Sequence, residues 1–536
     1  MKKLVAFLLL LSLVFGLAGC GSSAAPAQAP ASTEAPAAST ETAVEAEPAA
    51  PAASARTHLN VGIAGEVTSL DPAMSPDCIT PTGYTYEVQI FETLLRYDPK
   101  LGEFVPELAT DWEFNDDSTE VTFTIKEGVK FHNGDIMTAD DVEFSLTRAL
   151  ESPYTSSVNG SIDHFEKVDD SHVKVVLKYP YVPILQVLDV PCWSIVSKRA
   201  VEELGDEFGR HPVGTGAYKM VNWVSGQRVE YEAFEDYHNG AAPIKTANMI
   251  ILPDQTAASL ALEEGSIDFC QGIPKTDIPH MEELETVNVI NAGGGQVCDI
   301  TFNCTDGPFA DKRVRQAVAY AIDLNEILIG GAEGYGQIAN CLCAPAANGY
   351  CSDIEPLKQD LDKAKALLAE AGYPDGFDVV MDQDSSNTYM AGAEVIQAQL
   401  KKIGINITFN KMERSAWFDL VGDKREFFIT HRMTTMSVLD ADYILTRRLT
   451  EGALGSGNNY SGFHTPELEE LIAAGREESD PAKRHDIYHK AYLIIQDECP
   501  IIPLYYYVAF DCCNADLKGV QGAANNRDLW RFMYFE

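Results

Sequence analysis

PELATDWEFNDDSTEVTFTIKEGVKFHNGDIMTADDVEFSLTR, residues 106–148, holds the densest local grammar in the chain. Over Glu120–Ile125 polar and apolar residues alternate, as they do along a strand with one buried face. Gly128 and the Asn133-Gly134 pair supply turns. Thr138-Ala-Asp-Asp141 then opens a helix. Its hydroxyl can accept a first-turn N–H that lacks a partner, and two acids favour the positive helix end. Val142, Leu146 and Leu150 follow on one face. Strand, turn and capped helix in this order make an α/β segment.

The same mixture continues on both sides. Residues 59–64 read as a first strand, followed by the turn-rich Ser69-Leu-Asp-Pro72; His172–Leu177, 229–234 and 249–252 read as further strands without a strict βαβ repeat. His211-Pro-Val-Gly-Thr-Gly-Ala-Tyr218 reads as a tight structural turn, because no Lys-Ser/Thr follows its glycines to make a nucleotide loop. Asp311 caps a helix whose Val314, Val318 and Ala321 face the core, leaving Arg313 and Arg315 on its solvated surface. Residues 360–371 form another helix, stopped by Gly372 and Pro374. Thr465-Pro466 and Asp480-Pro481 each place a capping residue before a helix-starting proline. Asp382-Gln-Asp384-Ser-Ser386 reads as a polar loop, since Asn387 and Ala393 stand where a calcium loop needs Gly and Glu.

The amino terminus carries an address. Lys2 and Lys3 precede an apolar run over 4–17 that stops at Leu17-Ala-Gly-Cys20, too short to span a bilayer and flanked by small residues, so residues 1–19 are expected to be a cleaved signal. Residues 20–56 are the cysteine and a linker of Ala, Pro, Ser, Thr, Glu and Gly that cannot bury enough apolar surface to offset its ordering entropy. Forty basic against eighty acidic residues give a formal charge of −40, which repels nucleic acid and anionic lipid. Beyond Cys20 eleven cysteines remain, an odd number; disulfides and small buried thiols both stay open.

Ordered motifs along the chain carry a family resemblance. Ala109-x-x-Trp112, Lys130-Phe131-x-x-Gly134 and Thr138-Ala139-x-Asp141-Val142 resemble the family 5 extracytoplasmic solute-binding proteins of ABC importers, the peptide and nickel receptor group. So do Leu70-Asp-Pro72, the 211–218 segment, Phe302-Asn303 with 308–323, Lys363-Ala-x-x-Leu-Leu-x-x-Ala-Gly-Tyr373, and Pro503-Leu-Tyr505-Tyr506-Tyr507. The likeness spans about 59–532. It implies an α/β, two-lobed periplasmic-binding-protein-like fold of the large peptide-receptor type, with a hinge and an interlobe cleft. The first lobe is expected over 57–296 plus 504–536 and the second over 297–503, with crossings near 296 and 504. The lipobox implies diacylglycerol on Cys20, and two or more acyl chains anchor stably where one does not. The expected protein is a monomer tethered to the cell membrane, at the surface or in the periplasm, that hands peptide or another small solute to a permease.

Chemistry is not expected: the chain has no Gly-x-Ser-x-Gly elbow, no His-Glu-x-x-His and no Walker lysine. No cofactor or metal is assigned. His431 and His464 lack neighbours at ligand spacing, and Cys341-Leu-Cys343 with Cys351 lacks a paired CxxC and a nearby His. In dipeptide-binding relatives an Asp pairs with the ligand's ammonium group and an Arg with its carboxylate; by register these positions are Ser437 and Gln383 here, so both charges are missing. That departure leaves room for longer peptides held through backbone hydrogen bonds, for peptides with blocked ends, or for an uncharged solute such as a sugar. Arg414 and Arg432 are the candidates for a carboxylate clamp. Tyr507 matches a tyrosine that contacts peptide in oligopeptide receptors, and Cys78, Gln271 and Gly294 carry over by motif position. Trp417 is expected in the core. The competing readings are a receptor for nickel chelates or a neutral oligosaccharide and, in another class, a surface hydrolase or a peptide-holding chaperone.

Overall fold

The computed structural model describes residues 56–385, 387–454, 458–522 and 527–536; the expected signal, Cys20 and the linker up to residue 55 lie outside the described residues. Residues 106–148 belong to a four-stranded antiparallel sheet with the spatial order Ala109–Phe114, Glu120–Ile125, His172–Leu177, Ile162–Lys167. Val121, Phe123 and Ile125 point into the core, as the alternation requires. Thr138 is the N-cap of the Ala139–Leu150 helix: the Asp141 N–H donates to its hydroxyl, and its own N–H donates to the Asp141 carboxylate at 3.0 Å. Val142 and Leu146 are fully buried, while Leu150 packs half-buried at the edge. At the far end of the helix Arg148 Nη1 donates to Asp71 Oδ1 at 2.8 Å and its other terminal nitrogen pairs with Oδ2. The Leu-Asp-Pro turn is thereby locked to the capped helix.

Two larger mixed sheets form the rest of the frame. One has seven strands in the order Val287–Asn291, Phe510–Asn514, Phe269–Cys270, His58–Ile63, Thr246–Ile251, Arg228–Ala233, Tyr218–Val224. The other has six: Gly336–Ile338, Ile501–Tyr507, Gln296–Phe302, Ile429–Thr435, Phe377–Asp384, Ile405–Met412. The chain passes between them twice, and the two passages run side by side. Val287–Asn291 pairs antiparallel with Phe510–Asn514, and beyond the passage Gln296–Phe302 pairs antiparallel with Ile501–Tyr507. One two-stranded ribbon thus runs through both sheets. Its ladder thins at Ala292-Gly-Gly-Gly295, where Ala292 N–H donates to Ala509 O at 3.0 Å and Ala509 N–H to Gly293 O at 3.4 Å. A Cβ on Gly294 would stand 2.2 Å from Tyr507 O, so the close approach demands glycine there.

Most local expectations hold, and two are corrected. Asp311, Asp360, Thr465 and Asp480 cap their helices as read, and Val314, Val318 and Ala321 are buried. Arg313 is an exposed partner of Asp311, but Arg315 is only 3% exposed. It donates to Phe309 O and Glu498 O, each at 2.9 Å, binding the end of one helix to the start of another. Spacing on its own helix did not reveal those carbonyls. Asp382, Gln383 and Asp384 are no loop: they end the Phe377–Asp384 strand, buried and paired in parallel with Ile405–Met412. Asn410 Nδ2 meets Asp382 Oδ1 at 2.8 Å and makes that burial tolerable.

The 211–218 segment is the structural turn expected of it. His132, from the opening stretch, grips it: Nε2–H donates to Gly216 O at 2.9 Å, while Nδ1 faces the Gly214 N–H at 3.4 Å. Only the neutral ring satisfies both contacts. Burial lowers its pKa to about 4, with a push from Lys219 and against the pull of Gly216 O. The unfolded chain therefore binds this proton first as pH falls, so the contribution is whole above the ordinary value of 6.5 and is lost on descent to about 4. The amount is about 3 kcal/mol. His132→Gln, which can donate to Gly216 O without titrating, is expected to flatten the loss of urea stability between about pH 7 and about pH 4 by most of that amount. An unchanged slope would refute the role.

Candidate functional site

A cavity of about 790 Å³ opens beside the ribbon passage. Its walls come from Phe91, packed in the core of the seven-stranded sheet, Arg96 on the Leu95–Asp98 strand, Gly293 at the passage, Ala347 and Ser437 on the side of the six-stranded sheet, and Arg531 near the carboxyl end. Segments far apart in sequence therefore converge on one concave space, the usual arrangement of a small-molecule site.

Buried charge builds one wall. Arg531 donates to Glu107 Oε1 at 2.7 Å and Oε2 at 2.8 Å, a bidentate pair, and to Glu92 Oε1 at 2.9 Å. Arg96 Nε lies 3.0 Å from Glu107 Oε2. Burial would raise the Glu107 carboxyl, but Arg531 and then Arg96 outweigh it and hold the group down at about 2. Glu92 is pushed the other way, by burial and by the facing Glu107. It accepts from Tyr237 Oη at 2.6 Å and from His238 Nε2 at 2.9 Å, whose Nδ1 takes a bond from Lys126 at 2.8 Å. Glu92, Glu107 and His238 lie close enough to hold an ion, yet the Arg531 guanidinium already stands between the two carboxylates. Nearby, Arg527 Nη1 donates to Asp189 Oδ2 at 2.7 Å.

The eight residues singled out from sequence do not share one place. Ser437 lies in the cavity wall. Gly294 is next to Gly293 in the passage, packed on Tyr507 O. Cys78 and Gln271 are buried beside the Pro81–Ile90 helix, where Gln271 accepts from Thr85 Oγ1 at 2.9 Å. Gln383 is fully buried and spends its amide on the His431 backbone, donating to O at 2.8 Å and accepting from N–H at 3.2 Å. Arg414 and Arg432 border a separate depression with Asp384, His431 and Trp417; Arg432 stands 4.5 Å over the Tyr460 ring. Trp417 is buried, as expected. Tyr507 carries the Lys275 ammonium 3.7 Å above its ring, and burial lowers that lysine to about 8. The wall residues that sequence reasoning passed over are Glu92, Arg96, Glu107, Asp189, Arg527 and Arg531. Their only signal was charge set among apolar residues, as in Pro106-Glu107-Leu108 and Trp530-Arg531-Phe532.

The likeness to known proteins agrees with this architecture. The family model described as bacterial extracellular solute-binding proteins, family 5 middle, matches residues 103–456. The dipeptide-binding protein of Escherichia coli K12 is 28% identical over 485 residues, covering 83% of this chain and 90% of the relative. Heme-binding protein A of Haemophilus influenzae is 28% identical over 552 residues and 96% of each chain. Among solved structures, the periplasmic binding protein DppA of Helicobacter pylori, in complex with the peptide STSA, superposes with a TM-score of 0.77 at 27% identity, over 89% of this chain and 98% of that one. Two-lobed α/β architecture, the ordered motifs and the matched span lead to one assignment: the chain belongs to the family 5 bacterial extracellular solute-binding proteins, substrate-binding receptors of ABC importers and not enzymes.

Proposed function

We propose that this protein is a lipid-anchored receptor that captures peptides, oligopeptides above all, between two lobes and delivers them to an ABC permease. The observation that carries the reading is the cavity of about 790 Å³ whose walls come from both sides of the ribbon passage. That volume lies within the roughly 300–1,000 Å³ usual for ligand sites. The buried charges in its wall are matched, Glu107 by Arg531 and Asp189 by Arg527, and Ser437 is neutral. A zwitterionic dipeptide, recognised by its two end charges, finds no ready partners there. A longer peptide, held through its backbone and by apolar surface such as Phe91 and Leu439, fits the same wall.

The lobes expected over 57–296 with 504–536 and over 297–503 close about the ribbon, with the second crossing moved to 508–509, because Tyr505, Tyr506 and Tyr507 still pair within the six-stranded sheet. Support comes from the thinned ladder at residues 292–295 and 508–509, where few backbone bonds resist rotation. A solute touching both lobes favours the closed form, which a permease can recognise. The protein works as a monomer outside the cytoplasm, tethered through lipid on Cys20.

Mass spectrometry of solute that co-purifies, followed by thermal shift with peptides of graded length, a nickel chelate, haem and a neutral oligosaccharide, tests the reading. Peptide at about 100 times its dissociation constant is expected to add about 2.7 kcal/mol. Failure of every peptide alongside stabilisation by one of the other solutes overturns it. Ser437→Asp supplies the carboxylate that the family register places there and is expected to tighten binding of free dipeptides by about tenfold or more. No gain would remove Ser437 from the ammonium position. Cys20→Ser is expected to release the protein from the membrane fraction; retention of the variant there would exclude the lipid tether.

A further inference from the structure

The cysteine motif left unassigned by sequence acquires a histidine in three dimensions. Cys351 and Asp353 lie in the segment that crosses the Pro481–Glu498 helix. Gly349 allows that crossing: its φ is +85°, and a Cβ there would meet Tyr488 Cδ2 at 2.9 Å. Asn340 Nδ2 fixes the segment by donating to Cys351 O at 2.9 Å and Ile354 O at 3.1 Å. On the facing helix His485 and His489 are four residues apart and so share a face. Their ring centroids are 6.1 Å apart. His485 Nε2 is 3.2 Å from one Asp353 oxygen and His489 Nε2 is 3.4 Å from the other. One donor atom each from Cys351, Asp353 and His485 lie within 4.8 Å of one another.

From this juxtaposition we propose a zinc-class metal site in which Cys351, Asp353 and His485 are ligands and His489 supplies the fourth donor. Tetrahedral Zn²⁺, with bonds of about 2.0–2.3 Å, places its donors about 3.3–3.8 Å apart. The Asp353–His485 separation already suits that geometry, and Cys351 needs a shift on the order of 1 Å. A sulfur, two imidazoles and one carboxylate select a borderline-soft dication and disfavour calcium or magnesium, which take oxygen ligands. Cys351 binds as thiolate, its proton leaving to solvent. Cys351 is buried and anchored while Asp353 and both histidines are partly exposed, giving the ion a fixed floor and an open approach. Two residues separate Cys351 from Asn348 in the cavity wall, but no residue of the site lines the cavity.

The test is calorimetric titration of the chelator-stripped protein with Zn²⁺, together with absorption spectra of the Co²⁺ form. One equivalent of zinc is expected to bind, and the cobalt form to show thiolate-to-metal charge transfer. Asp353→Asn and His485→Ala are each expected to weaken zinc binding by about tenfold or more. Cys351→Ser is expected to abolish the charge-transfer band. His280→Ala, at a surface His–Glu contact of 3.1 Å elsewhere, leaves binding unchanged. Circular dichroism confirms that each variant is folded; Asp353 is exposed, so Asp353→Asn keeps the test decisive if a histidine or cysteine variant misfolds. Absence of zinc binding, equal affinity in the His485→Ala/His489→Ala protein, or a cobalt form without thiolate character overturns the site.

Discussion

The ribbon that passes between the two large sheets sets the position of everything else. Its backbone ladder runs from Val287 opposite Asn514 to Asn291 opposite Phe510, and again from Gln296 opposite Tyr507 to Thr301 opposite Ile501, with one bulge between Cys298 and Asp299. Backbone bonds and the close approach of Gly294 to Tyr507 O bridge the gap, with Lys275 stacked on the Tyr507 ring beside it. Three glycines there contribute no side chains to stiffen it. A joint of this kind confines motion to bending and twisting about one narrow element, because two adjacent strands cannot slide without losing their register. The cavity inherits the constraint. Gly293 is in its wall, so bending the ribbon moves the Ser437 side relative to the Arg531 side.

The wall chemistry follows from that location. In a chain of formal net charge −40, the cavity's buried acids Glu107 and Asp189 are neutralised by arginines from the carboxyl-terminal segment. Leaving Glu107 buried without Arg531 would cost about 3–5 kcal/mol, so the segment that carries Arg531 and Arg527 is held in place by the acids it neutralises. Those arginines are thereby structural first. They can offer a solute only donor capacity that Glu92, Glu107 and Asp189 do not consume, which favours amide and carbonyl recognition over capture of a full charge.

What was legible in sequence is what depends on neighbours in sequence. Alternation in Glu120–Ile125, the Thr138–Asp141 capping box and the Thr465-Pro466 and Asp480-Pro481 helix starts are decided within four or five residues, and they stand as read. Arg315 fails because its partner carbonyl on Glu498 is 183 residues away. Glu107 lay in the opening stretch and counted there only as part of a motif; its partner Arg531 is 424 residues distant. Register counting put Ser437 at the ammonium position and Gln383 at the carboxylate position; Ser437 does line the cavity, whereas strand pairing commits the Gln383 amide to His431. Helical or strand periodicity names a face. It does not name what the face meets.

The same limit explains why the segment around Asn348 matters more than its sequence suggests. Asn348 N–H donates to Leu439 O at 3.0 Å and Asn348 O accepts from Ala441 N–H at 2.8 Å, tying it to the stretch that contains Ser437. Asp440, in that stretch, is held by Arg484 at 2.7 and 2.9 Å, and Arg484 precedes His485 on the same helix. Cavity wall, buried ion pair and His485 helix therefore form one block with few soft connections. An ion that drew Cys351 and Asp353 onto the helix would tighten the segment that also shapes the wall. Reciprocity then requires that any solute gripping Ser437 and Asn348 favour the ion to the same degree. Coupling of this sort needs no path of special residues. It needs only that both ligands prefer the block in one arrangement, and the buried Asp440–Arg484 pair joins the Ser437 stretch to the helix.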